Sequence, residues 1–261
     1  MQVDIRAAAR FYASRPGENT ARLLRQRLQA FWPHTGGDRV LGLGYTLPFL
    51  PLWSRPDRGL CVSARLDTAV TREAPSERAA GIHDCLVDEG RLPFPELHFD
   101  RVVLVHALEV THRPDDLIRS VWKVMKDDGR LLLVVPNRAG WWAHSDDTPF
   151  GQGTPFSPRQ ITRRLAHAFL RAERHDGALF LPPVAAALRR LGAVTEAVGH
   201  MLLPGLGGVF VIEAVKDVYS GVPAAPALIR APRRIYEPGL TARSCAARHA
   251  ARQGDPSAKA G

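Results

Sequence analysis

Arg39-Val40-Leu41-Gly42-Leu43-Gly44-Tyr45-Thr46 decides how the rest of the chain is read. Its apolar run, Val40 to Leu43, is short and is broken by two glycines separated by one residue. A buried parallel strand that ends in a tight turn has this pattern. A strand closing on Gly-x-Gly lets main chain approach a ligand at the carboxyl end of a sheet, where open α/β folds bind cofactors. The third glycine of a dinucleotide fingerprint is missing, because Leu47 and Pro48 follow, and so is the lysine of a phosphate-binding loop. A ligand without a pyrophosphate therefore fits better than a nicotinamide cofactor.

Downstream, further apolar runs recur between polar breaks. Leu60–Ala64, Asp84–Val87, Val102–Val105 and Leu131–Val135 read as strands two to five. Residues 67–81 show no clear period. Pro114-Asp115-Asp116 opens a helix, with proline in the first turn and acids at the positive end. Leu117, Val121, Val124 and Met125 form its buried face, and Asp127-Asp128-Gly129 is read as its end. Ser157-Pro158 starts another helix whose Ile161, Leu165 and Phe169 face inward. Ala178–Leu181 reads as a strand, 184–199 as a helix, and Gly208–Val215 as a last strand. Upstream, 5–32 reads as helical, with Leu24, Leu28 and Phe31 on one face and Asn19 or Thr20 as a cap. Near Thr46 the prolines leave room for a short helix only. The alternation predicts an α/β fold: a Rossmann-like, seven-stranded, mostly parallel sheet with helices on both faces.

Composition sets the outer bounds. In 261 residues, 45% are hydrophobic and 23% charged, which suits a globular protein. Net charge is +9, and residues 222–261 hold seven basic against two acidic side chains. Such a stretch reads as a solvated tail first and as a nucleic-acid or acidic-lipid contact second. Cys61, Cys85 and Cys245 have neither metal-ligand spacing nor a disulfide pattern, so no metal is expected and a reducing, cytoplasmic setting is. Met1–Arg6 has no apolar signal core, and no uncharged run is long enough to span a membrane. Oligomeric state is not legible.

Leu92-Pro93-Phe94-Pro95, Phe99-Asp100-Arg101-Val102-Val103 and Val121-Trp122-Lys123-Val124-Met125-Lys126-Asp127-Asp128-Gly129-Arg130-Leu131 together resemble the class I S-adenosylmethionine-dependent methyltransferases, specifically their type 11 domain. The likeness spans roughly 38–136. With the helical period upstream and the proline, alanine and arginine content downstream, it gives a helical lead-in over 1–37, a methyltransferase-like domain over 38–219 and a basic, poorly ordered tail over 220–261 as the expected organisation. It also implies S-adenosylmethionine as cofactor. Gly42, Gly44 and Tyr45 would border the methionine moiety, Asp88 would accept from the adenine amine, and Glu89 would offer a backbone amide. His106 would stand at the sulfonium side, as a wall residue or a general base. Trp141, Trp142, Phe150 and Phe156 would wall the substrate pocket, or cluster locally.

Three departures matter. Arg39-Val40-Leu41 lacks the acid that usually starts the glycine motif. The second strand ends in Arg65-Leu66-Asp67, with Asp67 late for the ribose hydroxyls. Asp127-Asp128-Gly129 replaces Pro-Gly-Gly. His106-Ala107-Leu108-Glu109 stands where methylases of base or glutamine amino groups carry Asn-Pro-Pro-aromatic. The expected function is methyl transfer to a small molecule. The alternatives are a catalytically inactive binding or regulatory relative and, least favoured, nucleic-acid binding through the tail.

Overall fold

The computed structural model describes residues 5–54, 59–66, 81–180, 182 and 207–217. The expected helix over 184–199, the residues from Asp67 to 80 and the tail over 220–261 lie outside them. Seven strands form one sheet in the order β3-β2-β1-β4-β5-β7-β6. They are β1 (Val40–Gly44), β2 (Cys61–Leu66), β3 (His83–Val87), β4 (Phe99–Val105), β5 (Met125–Pro136), β6 (Leu170–Ala178) and β7 (Val209–Lys216). β1 to β5 pair in parallel, and β7 runs antiparallel between β5 and β6. This is the mostly parallel sheet that the alternation predicts.

Both faces are covered, and side-chain parity decides which residue faces which layer. Leu41, Leu43, Val102, Leu104, Leu131 and Leu133 pack with α3 (Pro114–Val124) and α4 (Pro158–His167) on one face. Val40, Val103, Val105, Leu132 and Val134 pack with α1 (Ile5–Ala13) and α2 (Arg15–Phe31) on the other. The central strands are apolar throughout because neither face meets water.

Local chemistry sets the boundaries. The lead-in is two helices: Ser14 is extended, and its hydroxyl accepts from Gly17 N at 3.3 Å, capping α2 ahead of Pro16. Asn19 and Thr20, expected as caps, are buried inside α2. Ser157 and Gln160 form a reciprocal capping box at the start of α4. Three expectations shift. α3 stops at Val124, so Met125 to Gly129 belong to β5. Phe169 is half exposed with φ +58° and does not face the core. The sixth strand is Leu170–Ala178, earlier than Ala178–Leu181. Residues 46–49 form turns, followed by a three-residue 3-10 helix at Leu50–Leu52. Among the described residues, no helix is long and apolar enough to cross a membrane.

Candidate functional site

The order of the sheet reverses between β1 and β4, so a crevice opens at their carboxyl ends, the usual binding point of an open α/β sheet. Gly44 and Val105 are register partners, which sets the two tips level. Tyr45 N donates to Val105 O at 2.8 Å, and the chain turns at Gly44 with φ +88°. A Cβ on Gly44 would lie 2.3 Å from Val105 O and 2.8 Å from His106 O. The glycine is thus required by the chain's own β4 tip. Gly42 makes room for Thr46, whose Oγ1 would lie 2.3 Å from an added Cβ.

His106 follows β4 directly and holds φ +51°, a left-handed conformation uncommon outside glycine. Its ring is buried between Tyr12 and Phe150, with the Phe150 centroid at 4.5 Å. Nδ1 lies 3.1 Å from Glu109 Oε1, and Nε2 lies 2.9 Å from the Tyr12 hydroxyl. Burial, then the Glu109 charge, then Tyr45 push the Tyr12 pKa well above the ordinary 10.0. Tyr12 therefore stays a phenol, and its hydroxyl can donate to Nε2 in the tautomer whose Nδ1–H donates to Glu109. Glu109 Oε2 is buried with no hydrogen-bond partner among the described residues. Tyr12, His106 and Glu109 thus form one chain of polar groups from α1 to the turn after β4. The sequence reading singled out His106 alone; an acid three residues on, in a turn beside buried Ala107 and Leu108, is the signal that marks Glu109.

The other expected residues separate. Tyr45 is buried and stacks on Tyr12, 5.6 Å between centroids and 15° between planes. Asp88 is exposed, and its Oδ1 accepts from Gly90 N at 2.8 Å, capping the turn into Leu92-Pro93. The Thr111 hydroxyl donates to Glu89, tying the β3 turn to the loop after β4. At the tip of β2, beside Gly44, stands Arg65. It forms a buried two-point ion pair with Asp84 of β3, Nη2 to Oδ2 at 2.9 Å and Nε to Oδ1 at 3.2 Å. The four aromatics expected to wall one pocket divide: Trp142 and Phe150 pack with α1 and α2, Phe156 packs on the opposite face, and Trp141 points outward, 70% exposed.

Known proteins place this arrangement. Residues 41–133 match the family model of the methyltransferase domain. Over 57 residues the chain is 44% identical to a ubiquinone/menaquinone biosynthesis C-methyltransferase, UbiE, of Pseudomonas putida, covering 22% of each chain. The match thus spans about a fifth of that relative. In fold the chain is similar to an S-adenosylmethionine-dependent methyltransferase of Thermotoga maritima described as a possible histamine N-methyltransferase. That likeness has a TM-score of 0.56 and 14% identity, and covers 81% of this chain and 96% of that one. The cyclase SpnF is similar too, with a TM-score of 0.51, 19% identity, and coverage of 76% and 81%. Residues 41–133 thus match the methyltransferase domain, and the seven-stranded sheet is similar in fold to solved S-adenosylmethionine-dependent methyltransferases.

Proposed function

We propose that this protein is an enzyme that transfers a methyl group from S-adenosylmethionine to a small acceptor with an ionisable hydroxyl. The observation that supports it is the buried Tyr12–His106–Glu109 chain at the carboxyl ends of β1 and β4. The site's residues suit the cofactor in part. Gly44 and Tyr45 offer a main-chain wall at the crevice. Asp88 commits one carboxylate oxygen to its own turn, leaving the other facing solvent for an amine donor. The β2 tip departs: Arg65–Asp84 stands beside Gly44, so the carboxylate among the described residues there is Asp84. When bound, S-adenosylmethionine supplies an electrophilic methyl group.

The chain's own part is positioning and proton handling. Glu109 holds the His106 ring through Nδ1 and leaves Nε2 as the acceptor. The Tyr12 phenol fills Nε2 and so serves as the relay: an acceptor hydroxyl gives its proton to the Tyr12 oxygen as Tyr12 passes its own to Nε2. Phe150 and the Tyr12–Tyr45 pair keep water from that nitrogen. The relatives named UbiE are C-methyltransferases. A deprotonated phenol is nucleophilic at oxygen and at the neighbouring ring carbon, so this arrangement serves either outcome.

A second reading, a binding relative without catalysis, draws on the Arg65–Asp84 pair and on the solvent-facing Asp88. Isothermal calorimetry with S-adenosylhomocysteine separates the two. The enzyme reading expects saturable binding that Asp88→Ala weakens; no heat at about millimolar ligand leaves only the second.

A further inference from the structure

The loop from Asn137 to Ser157 joins β5 to α4 and touches the polar chain twice. Its ends are tied beside β5: Arg138 N donates to Phe156 O, and Phe156 N to Pro136 O, each at 3.1 Å. Within it, Thr148 N donates to Ser145 O and Gly151 N to Thr148 O, both at 3.1 Å, so the loop is built on its own turns. Phe150 lies on the His106 ring, with centroids 4.5 Å apart. Further along, Thr154 N donates to Glu109 O at 2.9 Å.

Gly153 stands between these two contacts. A Cβ there would lie 2.7 Å from Glu109 Cβ, 2.7 Å from Glu109 O and 2.8 Å from Glu109 Cγ. None of these atoms is the loose end of a side chain, and the Glu109 side chain is fully buried. A methyl at 153 therefore parts the loop from the turn after β4 or turns the Glu109 stem. Gly153 is half-buried and Thr154 exposed, so this short length of main chain is an outer cover over Glu109. Beneath it, Glu109 sets Oε1 against His106 Nδ1 and leaves Oε2 without a hydrogen-bond partner among the described residues. A carboxylate kept from water acts more strongly on its neighbours than a solvated one. The titratable groups around it are His106 at Nδ1 and Tyr12 beyond the ring, with Tyr45 stacked on Tyr12.

We propose that Gly153 is a positioning residue for the polar chain: its bare Cα lets the loop after β5 close on Glu109, which holds Oε1 on His106 and shuts water out from Oε2. The seating of that loop thereby sets how much of the Glu109 charge reaches His106 and Tyr12. The role rests on the methyl-transfer reading only for what the chain is used for; the positioning is testable without turnover.

The test is Gly153→Ala, read by tyrosine ring NMR across alkaline pH. Tyr12 is held above 10.0 by burial and then by the Glu109 charge, so a displaced or solvated Glu109 lets it fall toward 10.0. Gly129→Ala is the control: its Cβ would meet Met125 Cγ at 2.6 Å and Lys126 O at 2.8 Å, a similar crowding with no member of the polar chain in it. Gly153→Ala is expected to lower the Tyr12 midpoint and Gly129→Ala to leave it in place. In a Glu109→Gln background, Gly153→Ala is expected to add nothing, because it acts through that carboxylate. An unmoved Tyr12 in a folded Gly153→Ala, an equal shift in Gly129→Ala, or an undiminished shift in the Glu109→Gln background overturns the proposal. If Gly153→Ala does not fold, hydrogen exchange in the wild type decides. The Thr154 amide is then expected to be protected to within about 10-fold of the His106 ring N–H, and a Thr154 amide opening more freely than that overturns the proposal. S-adenosylhomocysteine is titrated alongside by calorimetry. A Tyr12 shift without cofactor binding leaves the positioning role standing and removes the transferase reading, and the reverse result removes only the positioning role.

Discussion

Gly44→Ala tests whether the opening glycine turn is held by the fold or reserved for a ligand. Position 44 has φ +88°, and an added Cβ would meet the Val105 carbonyl oxygen at 2.3 Å. An L-residue in the left-handed region costs about 1–2 kcal/mol. The close contact is with backbone, so it must be relieved by parting the β1 and β4 tips. That strains or breaks the 2.8 Å bond from Tyr45 N to Val105 O, worth about 0.5–1.5 kcal/mol. Together these give a loss of about 2–3 kcal/mol. In urea, monitored by far-ultraviolet circular dichroism, the midpoint is expected to fall by about 1 M. Two other glycines calibrate the result. Gly37 has φ +102° and open space, so Gly37→Ala reports the backbone cost alone, about 1–2 kcal/mol. Gly36 has open space and no such φ, so Gly36→Ala is expected within about 0.5 kcal/mol of wild type. If Gly44→Ala costs no more than Gly37→Ala, the β4 tip yields freely and the packing argument fails.

Further outcomes follow from the buried polar groups. Glu109→Gln removes a charge that holds the Tyr12 phenol up, so Tyr12 is expected to titrate closer to 10.0; tyrosine ring NMR across alkaline pH reads it, and an unmoved Tyr12 refutes the linkage. Trp32→Phe deletes the indole N–H that donates to buried Glu213 at 2.9 Å, with an expected loss of about 1.5–3 kcal/mol in urea unfolding. Burial pushes the Cys61 thiol from 9.0 up to about 12. The folded state therefore holds that proton more tightly than the unfolded one. The resulting stability is full below pH 9 and is lost as pH rises toward 12, by about 1.4 kcal/mol per unit. Cys61→Ala is expected to flatten that part of the urea-midpoint profile, and an unchanged slope contradicts it.

The central strands were legible because burial on both faces leaves no choice but continuous apolar runs: Val40–Leu43, Val102–Val105 and Leu131–Val135. The sixth strand was not. Leu170–Ala178 is an edge strand whose middle reads Arg171, Glu173, Arg174 and His175, held by pairing to β7 and by ion pairs rather than by apolar alternation. The break between α1 and α2 was hidden for another reason. The apolar face of Leu24, Leu28 and Phe31 extends the helix reading backward, and only the local chemistry of Ser14 ahead of Pro16 interrupts it. At the site, Gly44 and His106 could be picked out because their positions after strands carry meaning. Glu109 acquires its meaning from the ring of His106 three residues before it, and Arg65 and Tyr12 acquire theirs from partners further along the chain. Arg65 meets Asp84 across two neighbouring strands, and Tyr12 meets His106 across 94 positions. No periodicity encodes such meetings.

The place of β7 in the sheet has a consequence for synthesis. β5 is complete at Pro136, yet the strand that covers its open edge begins at Val209. At about 5–20 residues per second, a ribosome needs about 4–15 s to deliver residues 137–208. Throughout that interval the nascent chain presents Leu131–Val135 as an unpaired, strongly apolar edge, a template for pairing with another chain. Trp142 cannot seat either, because it packs flush against Gly208, where an added Cβ would lie 2.0 Å from its ring. Phe150 rests edge-on against Trp142, and His106 rests on Phe150. The polar relay therefore gains its final setting only when the last strand emerges, so a truncation that stops short of β7 should yield a product that is aggregation-prone and loose around His106.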